Sequence, residues 1–282
     1  MSDNPFESSD LLLRDARRNI VVAAEELERF QKEDGAPESF CQEVQGSNIV
    51  ELKLRFKNDI PLSLSLPIHH AIVSLRSALD HACFACGSLK FGPSATGRAN
   101  FPIGRERAHV LSLLNNKRHQ AIPQEIFDLI MHFRPHEDES GNLMLCAINA
   151  VRNTEVHEIV QRLAHSISAM QSAAQSNSAR LLELAKDGPI EVASFEIEYF
   201  IPQIWDPKAR ELKIAWFDNQ IIHEVEFKCS SYIGLGSVKF FGGEHPIRFL
   251  CLAHDMVHKI ISDIVDKSIE IGLYKANPQR SD

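Results

Sequence analysis

One stretch constrains this chain more than any other: Pro67 to Lys90, PIHHAIVSLRSALDHACFACGSLK. Ile68, Ile72, Leu75, Leu79, Ala82 and Cys86 recur at helical spacing and predict an apolar stripe. At about 100° per residue, His69, Arg76 and Asp80 fall on a second stripe, and His70, Ser77 and His81 on a third. The stretch must therefore pack as a helix and still accommodate imidazole, guanidinium and carboxylate groups. Buried ionisable groups are costly unless paired. They form either a structural network or a functional site. The other segments are read by how they cover this helix.

Residues 10–34 predict a first helix, with Leu13, Ala16, Ile20, Ala23, Leu27 and Phe30 as its apolar seam and Gly35 as its stop. Residues 36–46 read as loop. Residues 48–57, NIVELKLRFK, alternate apolar and charged, as a strand with one wet face does. Pro67 suits the first position of the central helix. A Gly- and Pro-rich loop at 91–104 leads to helices at 105–116, 123–133 and 142–153. Residues 158–187 hold helix formers and no proline, and read as mostly helical. After Gly188-Pro189 the period changes to two. Strands are expected at 191–201, 211–217, 221–229 and 232–240, with a hairpin turn at Phe217–Gln220. A long helix, 246–271, opens at Pro246 and stops at Gly272. The expected fold is α+β: a helical bundle with an antiparallel sheet inserted before the C-terminal helix, in one domain over 1–282.

Composition narrows the function classes. The net charge of −8 provides no global basic field for nucleic acid or anionic lipid. No apolar run approaches the ~20 residues of a membrane span. The opening MSDNPFESSD lacks the basic and apolar regions of a signal peptide, so a cytoplasmic protein is expected. The six cysteines, Cys41, Cys83, Cys86, Cys146, Cys229 and Cys251, then read as reduced thiols. Cys83 and Cys86 form a CxxC deep in a helix rather than at a helix N-terminus, which favours packing over redox chemistry. There is no Walker loop, no GxGxxG after a strand and no GxSxG elbow, so no cofactor is expected from motifs.

Several passages together resemble a family of uncharacterised bacterial proteins with an "LRSALDH" helix signature, here Leu75 to His81. Phe101-Pro102-Ile103 matches the family's "FPI" segment, and Pro135-His136 stands where it has a "PY" turn. Asn153 to Glu158 aligns with "N.DKHR", and Trp205-Asp206-Pro207 to Glu211-Leu212 with "WDP…EL". The resemblance spans roughly residues 10–270. It implies the fold and no activity. The chain departs from "DKHR" at Glu155, Val156 and Glu158 and keeps only His157.

Three sets of residues could carry chemistry. Arg76 with His81, and Arg152 with His157, have the R-x4-H spacing of HEPN-type ribonucleases, helical domains that cleave RNA without metal, usually as dimers. An imidazole can take the ribose 2′-OH proton while a guanidinium stabilises the phosphorane charge. On a regular helix such a pair points about 140° apart, so it converges only at a helix end or across a dimer. The alternative for Arg76 is a pair with Asp80 one turn on. The second set is a divalent-metal site in the bundle, from His69, Asp80, His81, Glu155 and His157. The third is His254-Asp-Met-Val-His258, with a zincin's histidine spacing but Asp in place of the Glu, read as two boundary histidines. The leading expectation is a binding or interaction protein with its site on the polar face of helix 67–89. Its partner would be an unidentified ligand or protein, RNA among them, and a homodimer is compatible with the pattern.

Overall fold

The computed structural model describes residues 4–34, 37–92, 99–116, 119–154, 163–174, 198–206, 208–218, 225–235, 240–241 and 244–275. The fold is α+β. Its helices are α1 (Glu7–Asp34), α2 (Leu62–Phe91), α3 (Arg107–Ser112), α4 (Gln124–His132), α5 (Leu143–Thr154) and α6 (Pro246–Glu270). Its strands are β1 (Glu38–Glu43), β2 (Ile49–Arg55), β3 (Leu163–Ala174), β4 (Glu198–Asp206), β5 (Glu211–Asp218) and β6 (Val225–Leu235). The chain divides into two compact units. The helical unit comprises Met1–Glu26, Leu62–Arg162 and Ser237–Asp282, and the strand unit Leu27–Pro61 and Leu163–Gly236. Among the described residues, no helix is long and apolar enough to cross a membrane.

In the helical unit, α2 packs against α5 and α6, and α4 against α6. The stripe expected on α2 is the core: Ile68, Ile72, Leu75, Leu79, Ala82 and Cys86 are all fully buried. Opposite them α6 buries Leu250, Ala253, Val257, Ile260, Ile261 and Ile264. The α1 seam is buried as expected at Leu13, Ala16, Ile20 and Ala23, and the Ser74 hydroxyl donates to Asp15 Oδ2 at 2.8 Å, tying α2 to α1. Gly272, at φ +73, ends α6 in the left-handed conformation that glycine adopts without strain.

Pro67 does not open α2. The helix starts at Leu62, and Pro67 lies inside it, where its missing N–H leaves the Ser63 carbonyl without the usual partner four residues on. The apolar residues Leu64 and Ile68 are buried on either side of it, and this packing carries the helix through. The helix expected at 105–116 is shorter, Arg107–Ser112, and finishes as a 3-10 turn, Leu113–Asn115.

The strand unit holds a four-stranded antiparallel sheet in the order β1-β2-β5-β4 and a separate β3-β6 pair. Val50, Leu52 and Leu54 of β2 are buried, while Glu51, Lys53 and Arg55 alternate with them. Arg55 pairs with Glu211 at 2.8 Å and Lys213 with Glu51 at 2.9 Å, across the β2–β5 ladder. Burial works against the charge of Glu51, but the bonds from Lys213 and Lys53 outweigh it and hold its pKa below the ordinary range. The β4–β5 register shifts between Tyr199 and Ile204, the stretch that holds Pro202, which has no N–H to give.

Four expectations about strands are corrected. Residues 38–43, read as loop, form edge strand β1. Residues 163–174, read as helix, form β3, whose ladder with β6 runs from Leu163↔Leu235 to Ala174↔Val225. Long-range pairing overrides the local helix propensity there. Residues 225–235, read as parts of two strands at 221–229 and 232–240, form one strand, β6, and 221–224 and 236–239 lie outside the described residues. The hairpin expected at Phe217–Gln220 would join β5 to β6, but β5 pairs with β2 and β4. The rest of the 158–187 segment, at 158–162 and 175–187, lies outside the described residues.

Candidate functional site

The polar stripe of α2 is an organised network within the helical unit. Arg76 and Asp80 stand one helical turn apart, and Arg76 Nη1 donates to Asp80 Oδ1 as the i,i+4 spacing predicts. The other two guanidinium nitrogens are also engaged. Nε donates to Asn149 Oδ1 on α5 at 3.1 Å, and Nη2 to the Phe101 carbonyl at 2.9 Å. Asp80 is saturated in turn. Its Oδ1 also accepts the Phe101 N–H at 2.9 Å, and its Oδ2 accepts Arg152 Nη1 at 2.6 Å. One buried carboxylate thus joins two helices and the loop after α2. Burial lowers the pKa of Arg76, and Asp80 opposes that shift. The guanidinium stays charged at any ordinary pH.

The two R-x4-H arginines are therefore parts of one cluster, because both bind Asp80. They differ in access. The Arg76 side chain is 6 % exposed and that of Arg152 40 %. Arg152 lies in the last turn of α5, and its Nε and Nη2 bond no acceptor among the described residues. His81, next to Asp80, is exposed while Arg76 is buried, so this pair does not converge. His157 and Glu155 lie outside the described residues.

The other expected sites separate in the same way. His69 is half-buried and His70 exposed. Among the described residues no three His, Cys, Asp or Glu side chains gather as a metal site would require, so His69, Asp80 and His81 form no such cluster. Cys83 and Cys86 are fully buried. Burial pushes the Cys83 thiol well up and that of Cys86 to about 11. The Cys86 sulfur lies 3.2 Å from the Ser268 hydroxyl, whose own proton goes to the Ile264 carbonyl. Thiols held protonated in this way are packing groups. In the folded protein a maleimide reagent should label the exposed Cys41 and Cys251, while Cys83, Cys86 and Cys146 react only after unfolding, as read by mass spectrometry of peptides.

Sequence reasoning found Arg76, Asp80 and Arg152 but missed Asn149 and the Phe101 main chain. Asn149 had one signal: it precedes Arg152 by three residues and shares its helix face. The chain matches no protein-family model, no curated protein and no solved structure.

Proposed function

We propose that this protein binds an anionic ligand at the Arg76–Asp80–Arg152 network, with Arg152 as the residue that meets it. One observation carries this reading. A buried carboxylate fixes one end of a half-exposed guanidinium whose remaining donors bond no protein acceptor among the described residues. A guanidinium held in this way has little further freedom to lose on binding an oxyanion, and its paired N–H groups suit a phosphate. Arg76 and Asn149 are the supports and not the contact. The ligand class that best fits is the RNA backbone, because Arg152 begins an R-x4-H spacing. The resemblance to HEPN-type domains supports the same ligand and a homodimer.

The test is binding of a fluorescent single-stranded RNA at low salt. Arg152→Ala should weaken it by roughly tenfold or more, the scale of a charge-assisted hydrogen bond. Arg152→Lys should recover only part of the loss, since it keeps the charge without the fork. Equal affinity of wild type and Arg152→Ala would overturn the reading.

A ribonuclease is the second reading, favoured by the position of Arg152 in the last turn of α5, a helix end of the kind that lets an R-x4-H pair converge. His157 would then act as the base. RNA cleavage that survives EDTA and falls by ~10²–10⁴ in His157→Ala, the usual worth of general acid–base catalysis, is its expected result. Cleavage unchanged in that variant would remove it.

A further inference from the structure

A second cationic surface lies elsewhere in the helical unit. Asp10, Leu13, Arg14 and Arg17 of α1 line one side of a groove of about 380 Å³, and His254 and His258 of α6 line the other. Its size is at the lower end of small-molecule sites, roughly 300–1,000 Å³. The two imidazoles stack along α6 with centroids 6.4 Å apart and planes 13° apart.

The two arginines of this groove form no ion pair among the described residues, unlike cations nearby, and they share it with one carboxylate, Asp10. Arg18 pairs with Asp15, Lys259 with Asp263 and Lys267 with Glu270. Among the described residues, Arg14 bonds only the Asp10 carbonyl, through Nε at 3.4 Å. Arg17 has no carboxylate partner among the described residues. The carboxylate of Asp10 is engaged by Asn4 Nδ2 at 3.4 Å. His254 Nδ1 lies 3.5 Å from Asp255 Oδ1, and His258 has no hydrogen-bond partner among the described residues. The i,i+4 histidines have a chelating spacing. However, no third ligating side chain joins them among the described residues, and two guanidiniums repel a cation. With two guanidiniums against one carboxylate, the groove favours an anion.

We propose that this groove binds the phosphate monoester group of a small soluble ligand. Arg14 and Arg17 meet its oxygens from α1, and ring N–H groups of His254 and His258 donate from α6. The site is independent of Arg152, and neither proposal needs the other.

The test follows the ring signals of His254 and His258 by NMR during titration with glycerol phosphate at fixed pH. Both should shift saturably. The Arg14→Ser/Arg17→Ser variant should bind roughly tenfold or more weakly, the scale expected for losing charge-assisted hydrogen bonds. Arg18→Ser, which removes a paired arginine, should titrate like wild type. These arginines are exposed, so the variants fold, and circular dichroism checks this. No saturable shift up to ~10 mM, well above the 1 mM Kd that corresponds to −4.1 kcal/mol, would overturn the proposal. So would a double variant that titrates like wild type, or binding confined to phosphatidic acid vesicles.

Discussion

Asp80→Ala should lower the stability of the helical unit by about 3–5 kcal/mol, the cost of leaving a buried charge without its partner. The Arg76 side chain is only 6 % exposed. Without Asp80 it keeps the neutral acceptors of Asn149 and Phe101 and faces Arg152 uncompensated. The Phe101 N–H loses its acceptor in the same step. Arg76→Ala should cost less, near the lower end of that range, because Asp80 would keep Arg152 and the Phe101 N–H. Replacing both residues with apolar groups of similar size, Arg76→Met with Asp80→Leu, should recover much of the loss, since neither charge then needs solvation. Urea unfolding followed by circular dichroism reads all three. A loss under ~1 kcal/mol for Asp80→Ala, as at an exposed pair, would show that the network is open to water.

This network marks the boundary of what the sequence could tell. The Arg76–Asp80 pair was legible because a helix brings residues four apart together wherever it sits. The Arg152–Asp80 bond was not, since the two are separated by 72 positions and only packing of α5 on α2 joins them. Two arginines that looked like alternative sites belong to one cluster for that reason. The same division runs through the fold. The apolar stripe of α2 and the Pro246 start and Gly272 stop of α6 are signals a helix carries locally, and the structure has both. Strand β3 reads as helix from sequence because Ala164, Ala169, Ala173 and Ala174 are good helix formers and the serines among them oppose helix only weakly, while β6 decides the outcome from far along the chain. Strand β1, ESFCQE, is an edge strand exposed at most positions, so no buried face stamped a period on it.

Gly141→Ala should destabilise the protein by about 2–3 kcal/mol, in the range of a strained backbone. The usual sign for a loop glycine is the reverse, since a methyl group that fits restricts the unfolded chain and stabilises by ~0.4–1 kcal/mol. Here it cannot fit. A Cβ on Gly141 would lie 1.7 Å from the His136 carbonyl oxygen, a main-chain atom that cannot swing aside as a side chain would. The turn around it is held at several points. Gly141 N–H donates to the Asp138 carbonyl at 2.7 Å, Asn142 N–H to the Arg134 carbonyl at 2.8 Å, and Gly104 N–H to the Pro135 carbonyl at 3.0 Å. Arg134 already sits at φ +53, so little slack remains. The turn also delivers Asn142, whose Oδ1 accepts the Leu145 N–H at 3.2 Å and caps the start of α5. A displaced turn would therefore shift the helix that carries Asn149 and Arg152. Thermal unfolding of the variant reads the effect directly. A rise in midpoint would mean that the turn relaxes freely and that α5 is placed by its core contacts alone.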